Sequence, residues 1–249
     1  AMSASATAPS RARAQNHHSP LHKIAARVTT PAAMAVARRK RFRAAGARFR
    51  LSSGVSITSA YRALGTSPVT DGDGAFWVFG YGSLMWNPGF DHVERRRARL
   101  HGYRRGPCVA SVHYRGAPDR PGVVMGLDRG GACRGFAYRV AAEAVAGVVG
   151  YLDARELIYP VYRRRRLPVT VFDDSGARRR VTALTYVVDR ADPLYLGDRD
   201  LACLAACVAT ARGVAGSSLA SLRQVLHHLH EMGIRDRRLE ALLAAVAAV

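Results

Sequence analysis

Several features are scarce in this chain of 249 residues, and each scarcity excludes something. No stretch approaches 18 consecutive apolar residues free of charge, so no transmembrane helix is expected. The four cysteines, Cys108, Cys133, Cys203 and Cys207, form no CxxC pair and have no histidine beside them at metal spacing. Buried thiols in a reducing cytoplasm are therefore expected, rather than a disulfide framework or a zinc site. Cys203 and Cys207 stand four apart in an Ala/Leu-rich helical run, a setting that suits small buried hydrophobes. Lysine is missing after position 70, and acids are missing before position 71.

That split decides how the net charge of +20 is read. A nucleic-acid partner is the first idea such a charge raises. Yet residues 1–70 hold 12 Lys/Arg and no Asp or Glu, whereas residues 71–249 balance 26 Arg against 18 acids. Arginine without lysine over that length has the character of GC-rich coding bias and is a weak guide to phosphate binding. No nucleic-acid or membrane partner is expected for the globular part. Residues 1–72, rich in Ala, Ser, Thr and Arg, cannot bury much of a core and read as a disordered basic extension. It carries the basic cluster "AVARRKRFRAAGARFR" (35–50). A transit-peptide-like leader, a nucleic-acid or membrane-surface tail, and an extension translated upstream of the true start all remain open for it.

Residues 73–249 read as one globular α+β domain. Phe76–Phe79 predicts a buried strand. "GVVMGL" (122–127) and "CRGFAYRV" (133–140) predict two more, joined by a turn at "DRGG" (128–131). "AAEAVAGVVGYLDAREL" (141–157) has helical periodicity, with Val145, Val148, Val149 and Leu152 on one side. Strands are predicted at "LPVTVFD" (167–173) and "RVTALTYVVD" (180–189), with a turn at "DSG" (174–176). Helices follow to the end, and Gly233 has the place of a C-cap.

Two segments carry candidate chemistry. In "FWVFGYGSLMW" (76–86) an apolar strand breaks into Gly80-Tyr81-Gly82-Ser83. The spacing is neither GxGxxG nor a P-loop, which leaves a plain strand-end turn or a nest of backbone N–H groups for a small anion. In "YLDARELIYPVY" (151–162), Asp153 and Glu156 lie three apart at a helix end. Glu156 has Leu157 and Ile158 beside it, so it is either a solvated helix residue or a carboxyl raised for acid–base work. The remaining candidates read blandly: "HYRGAPDRPG" (113–122) as a surface connection, Arg163–Arg166 as a solvated edge, and Tyr195 in "DPLYLG" (192–197) as a packed tyrosine. His227, His228 and His230 lack the HExxH pattern, and no metal is expected there.

Taken together, "WVFGYGSLMWNPGF", "HYRGAPDRPGVVMGLDRGGACRGFAYRV", "YLDAREL", "YLGD" and the helical C-terminus resemble the ChaC-type γ-glutamylcyclotransferases over roughly residues 76–247. The resemblance implies a small mixed β-barrel with flanking and C-terminal helices. It implies an enzyme that cleaves glutathione to 5-oxoproline and cysteinylglycine without cofactor or metal, as a cytoplasmic monomer. It assigns the acid–base role to Glu156. It assigns substrate binding to Phe79, Gly80, Tyr81, Gly82, Ser83, Leu84, Tyr162 and Tyr195, with Tyr159 an alternative to Tyr162. Action on other γ-glutamyl amines or peptides, and a non-catalytic role in regulating cation transport, are the alternatives.

Overall fold

The computed structural model describes residues 75–249, and the extension expected over residues 1–72 lies outside the described residues. Five long strands, β1 (Phe76–Gly80), β2 (Glu94–Ser111), β3 (Gly122–Val140), β4 (Tyr162–Phe172) and β5 (Arg178–Val188), close a barrel in the order β1-β3-β2-β4-β5. Neighbours pair antiparallel, except where β5 closes on β1 in parallel. Helix α1 (Val145–Glu156) follows β3. Helix α2 (Leu201–Thr210), a small hairpin of β6 (Arg212–Gly213) and β7 (Gly216–Ser217), and helices α3 (Ser218–Glu231) and α4 (Arg237–Val246) complete the chain.

The uninterrupted apolar run of β1 reflects burial on both faces. Trp77 and Phe79, with Tyr81 beyond them, join Leu100, Leu127, Val169 and Val181 in one cluster. Phe76 and Val78 join Val145, Val148, Val149 and Leu152 of α1 in a second. A strand covered on both sides loses the polar alternation of a half-solvated one. Helix α1 has no side-chain N-cap and contains Gly147 and Gly150, each defect costing about 1 kcal/mol. Burying its four apolar side chains contributes roughly 1.5–3 kcal/mol apiece, so packing decides that this segment is helical. Helices α2, α3 and α4 have Asp200, Ser217 and Asp236 as caps, each accepting from a backbone N–H of the first turn. Gly233 closes α3 at φ 68°, with Gly233 N–H on His230 O and Ile234 N–H on Leu229 O. The four cysteines are free and buried.

Two expectations about the strands are corrected. The 18-residue β2 was not anticipated. The two strands expected at 122–127 and 133–140 are one 19-residue strand. Gly130 and Gly131 do take positive φ, but opposite Gly102, where the β2–β3 register shifts between His101 and Tyr103. The glycine pair makes a bulge within a continuous ladder, where a hairpin turn was expected.

Candidate active site

A cavity of about 170 Å³ opens where the β1 exit loop, the C-terminal end of α1 and helix α3 converge. The residues after β1 reach it through a short 3₁₀ turn, Ser83–Met85, which no side chain caps. Among the described residues, the N–H groups of Gly82 and Ser83 have no protein acceptor, so these donors remain available where the loop lines the cavity.

Three side chains hold this loop from different directions. Buried Arg105 of β2 donates to the carbonyls of Tyr81 and Arg134. Tyr138 of β3 donates to Leu84 O at 2.7 Å. Arg155 of α1 donates to Asn87 O at 2.9 Å and to Ser83 Oγ at 2.8 Å. Neither Gly80 nor Gly82 adopts positive φ, so a left-handed backbone is not the reason for glycine here. A Cβ on Gly80 would lie 2.9 Å from Leu84 Cβ, whereas one on Gly82 would meet nothing within 4 Å. Gly80 permits close packing, and Gly82 leaves open space beside the cavity.

Glu156, the last residue of α1, lines the same cavity. Burial pushes its carboxyl above the usual carboxylate range, and the Arg155 guanidinium, 3.2 Å away, opposes that rise. Asp153 is otherwise engaged, accepting from Arg164 at 2.6 Å and from Tyr186 Oη at 2.8 Å. Tyr81 and Tyr162 also line the cavity, and burial first, then neighbouring acidic groups including Glu156, holds both phenols protonated well above their ordinary range. Tyr162 donates to Met125 O at 2.9 Å.

Of the residues expected to bind substrate, Phe79, Tyr81, Gly82, Ser83, Leu84 and Tyr162 line the cavity together with Glu156. Gly80 does not line it but shapes the loop from behind. Tyr159 packs partly buried against the helical cluster. Tyr195 also lies off the cavity wall. Its hydroxyl donates to buried Asp128 at 3.0 Å, where Arg190 and Arg104 also gather. Its loop position before a helix resembles a site residue in sequence, yet the isolated bridge Val109–Tyr195 turns it toward the β2 edge. Trp86, which in sequence either walls the pocket or packs beneath it, lines the cavity, whereas Arg105, Arg115, Tyr186 and Ser221 were not anticipated. The arginines were masked by the general abundance of that residue, and the others carry no local motif.

His227, His228 and Glu231 bring ligand atoms within 4.8 Å of one another on α3. His228 contacts Glu231 at 2.7 Å and stacks on Trp86 with ring centroids 4.6 Å apart. A hydrogen bond between His228 and Glu231 and a ring stack on Trp86 are contacts of this cluster.

The family model described as ChaC-like protein matches residues 76–249. The chain is 33% identical over 174 residues to the glutathione-specific gamma-glutamylcyclotransferase of Escherichia coli strain K12, covering 70% of this chain and 74% of that protein. It is 34% identical over 184 residues to the mouse glutathione-specific gamma-glutamylcyclotransferase 1, covering 72% and 82%. Among solved structures, a gamma-glutamyl cyclotransferase from yeast, specific to glutathione, superposes with a TM-score of 0.62 over 70% of this chain and 96% of that one. At 23% identity that superposition speaks to the fold. Among the described residues no helix is long and apolar enough to cross a membrane.

Proposed function

The chain belongs to the family of ChaC-like proteins, and on that premise we propose that it is a glutathione-specific γ-glutamylcyclotransferase releasing 5-oxoproline and cysteinylglycine. The supporting observation is a carboxyl with a raised pKa, Glu156, in one cavity with the unbonded N–H groups of Gly82 and Ser83.

In glutathione the α-amine of the γ-glutamyl residue attacks the side-chain amide carbonyl of the same residue. A five-membered ring closes as the C–N bond to cysteine breaks. The step is intramolecular, so positioning carries much of the catalysis. The amine is largely protonated near neutral pH. Glu156 in its carboxylate form takes that proton and delivers it to the departing cysteine nitrogen; as the ring closes, the attacking nitrogen gives up a second proton, which passes by the same carboxylate to the freed amine, so Glu156 ends as it began. A carboxyl raised above its usual range suits both transfers. The oxyanion that develops on the carbonyl needs donors already in place, and the Gly82 and Ser83 N–H groups are the available ones. The buried phenols of Tyr81 and Tyr162, protonated throughout, shape a partly dry wall around them. The work falls to a single domain over residues 73–249, acting as a monomer in the reducing cytoplasm that keeps the four thiols free.

The test is direct. Purified protein is incubated with glutathione, and 5-oxoproline and cysteinylglycine are measured, with Glu156→Gln as the control. Equal amounts of both products from the wild type and almost none from the variant are expected. Wild-type protein that leaves glutathione intact would sink the reading.

A further inference from the structure

Arg115 stands in the connection between β2 and β3, which reads in sequence as a loose surface loop. In the structure this connection is packed tightly. A Cβ on Gly116 would sit 2.1 Å from Gly122 N and 2.3 Å from Ser111 O, and one on Gly213 would sit 2.3 Å from His113 O. Glycine at these points lets backbones approach more closely than any side chain allows. Val214 N–H on His113 O (3.0 Å) and Ala215 N–H on Tyr114 O (2.9 Å) stitch the connection to the β6–β7 hairpin. The Arg115 N–H donates to Ser111 Oγ at 3.0 Å, and its Nη1 donates to Ala215 O. The side chain thus enters the cavity from a fixed base.

Its charge is unanswered. Arg104, Arg139, Arg163, Arg164 and Arg190 each face an Asp or Glu. Among the described residues no carboxylate pairs with Arg115, and burial alone holds its pKa below the ordinary arginine value. With Nη1 on a carbonyl, the Nε–Nη2 edge is left for the two-pronged grip that guanidinium makes on a carboxylate. A partly desolvated cation without a counter-charge favours an anionic ligand.

The position selects which anion. Glu156, the 81–84 loop, Arg115 and, from α3, Ser221 and Val225 all line the one cavity. A γ-glutamyl group seated at Glu156 and the loop leaves the departing dipeptide in the cavity that Arg115 also enters. That leaving group ends in a carboxylate two residues on, roughly 7 Å of extended chain. Resting on the cyclotransferase reading above, we propose that Arg115 receives the C-terminal carboxylate of the leaving dipeptide. It thereby selects γ-glutamyl peptides that carry a free carboxylate two residues beyond the scissile bond.

The experiment compares glutathione with its glycyl amide, in which only that carboxylate is neutralised, on wild type, Arg115→Gln and Arg115→Lys. Wild type should prefer glutathione in kcat/KM by about 10–100-fold, the scale of a charge-assisted two-pronged bond. Arg115→Gln should no longer distinguish the two compounds, with the loss in KM, and Arg115→Lys should recover part of the preference. Equal losses on both compounds, or a preference that survives in Arg115→Gln, overturn the proposal. Calorimetric binding of both compounds to Glu156→Gln, with and without Arg115→Gln, repeats the comparison without turnover. Binding that distinguishes the carboxylate through Arg115 upholds the subsite even if no 5-oxoproline forms, so failure of the subsite and failure of the reaction are read separately.

Discussion

Arg155 Nη2 lies 2.8 Å from Ser83 Oγ, which ties the helix end bearing Glu156 to the loop bearing the unbonded N–H groups. The same guanidinium places its Nε 3.2 Å from Glu156 Oε1. One side chain therefore fixes where the loop stands and moderates how readily the carboxyl holds its proton.

Arg155→Gln separates these two effects. Without the cation that opposes its rise, the Glu156 carboxyl moves further up. The acid limb of kcat/KM should then shift to higher pH, because the base form is reached later. Loss of the grip on Ser83 and Asn87 should lower kcat by about 10–100-fold even on the plateau. An acid limb that stays in place would show that the guanidinium does not act on Glu156.

Glu156→Gln should lower kcat by roughly 10³-fold, while calorimetry finds glutathione still bound. Its stability should move the other way. The folded-state pKa of Glu156 is raised, so its favourable contribution is complete below the unfolded pKa and is lost as pH rises through the folded one. The glutamine has no such loss. The variant should therefore melt at a higher temperature than wild type at about pH 8, with the difference closing toward about pH 4. A lower melting temperature at alkaline pH would contradict the sign.

Tyr195→Phe tests whether that tyrosine serves the fold or the site. It removes one donor from buried Asp128 and should cost about 1 kcal/mol in denaturant unfolding, with KM for glutathione unchanged. Asp128→Asn should cost about 2–3 kcal/mol, less than a fully buried pair because Arg104 and Arg190 are partly in water. Burial raises the Asp128 carboxyl, but its bonds from Arg190 and Tyr195 outweigh that and leave it lowered. Its stabilisation is present above the unfolded pKa and lost as pH falls through the folded one. A raised KM in Tyr195→Phe would return that residue to the site.

The two loop glycines should respond differently. Gly80→Ala drives a methyl against Leu84 and should cost about 1–3 kcal/mol as well as reducing kcat. Gly82→Ala meets no protein atom and should leave the melting temperature within about a degree while raising KM for glutathione. A melting temperature lost equally in both would mean that the loop is sensitive only to backbone stiffness.

Legibility in the sequence followed the kind of signal available. The apolar run of β1, the helical spacing of Val145, Val148, Val149 and Leu152, and the cap at Gly233 are local patterns, and all three appear in the structure. So does the convergence of the 81–84 loop and Glu156, residues some 70 positions apart, which only the family resemblance brought together. The strand β2 was hidden because "ERRRARLHGYRR" looks like solvated charge. Its partner strands decide its conformation: Arg105 bonds the carbonyls of Tyr81 and Arg134, Arg104 faces Asp128 of β3, and Arg95 lies over the Phe136 ring. Arg105 and Arg115 were invisible for the same reason: in a chain with 26 arginines after residue 70, residue type alone does not separate an anchor from a surface charge. The glycine pair Gly130-Gly131 signalled positive φ correctly, and only the register with Gly102 distinguishes a bulge from a turn.

The barrel is sealed unevenly. Five residues of β1 pair with β3, but only Trp77 and Val78 pair with β5, across about a hundred positions of chain. The donor loop leaves β1 directly beyond that seam. Packing makes up for the short ladder: Trp77 and Val78 are fully buried, and Thr185 Oγ1 of β5 donates to Phe79 O at 3.0 Å, so the donor loop starts from a rigid strand. Amide exchange at Trp77 and Val78 should therefore be among the slowest in the molecule, reporting whole-fold opening and not a local one.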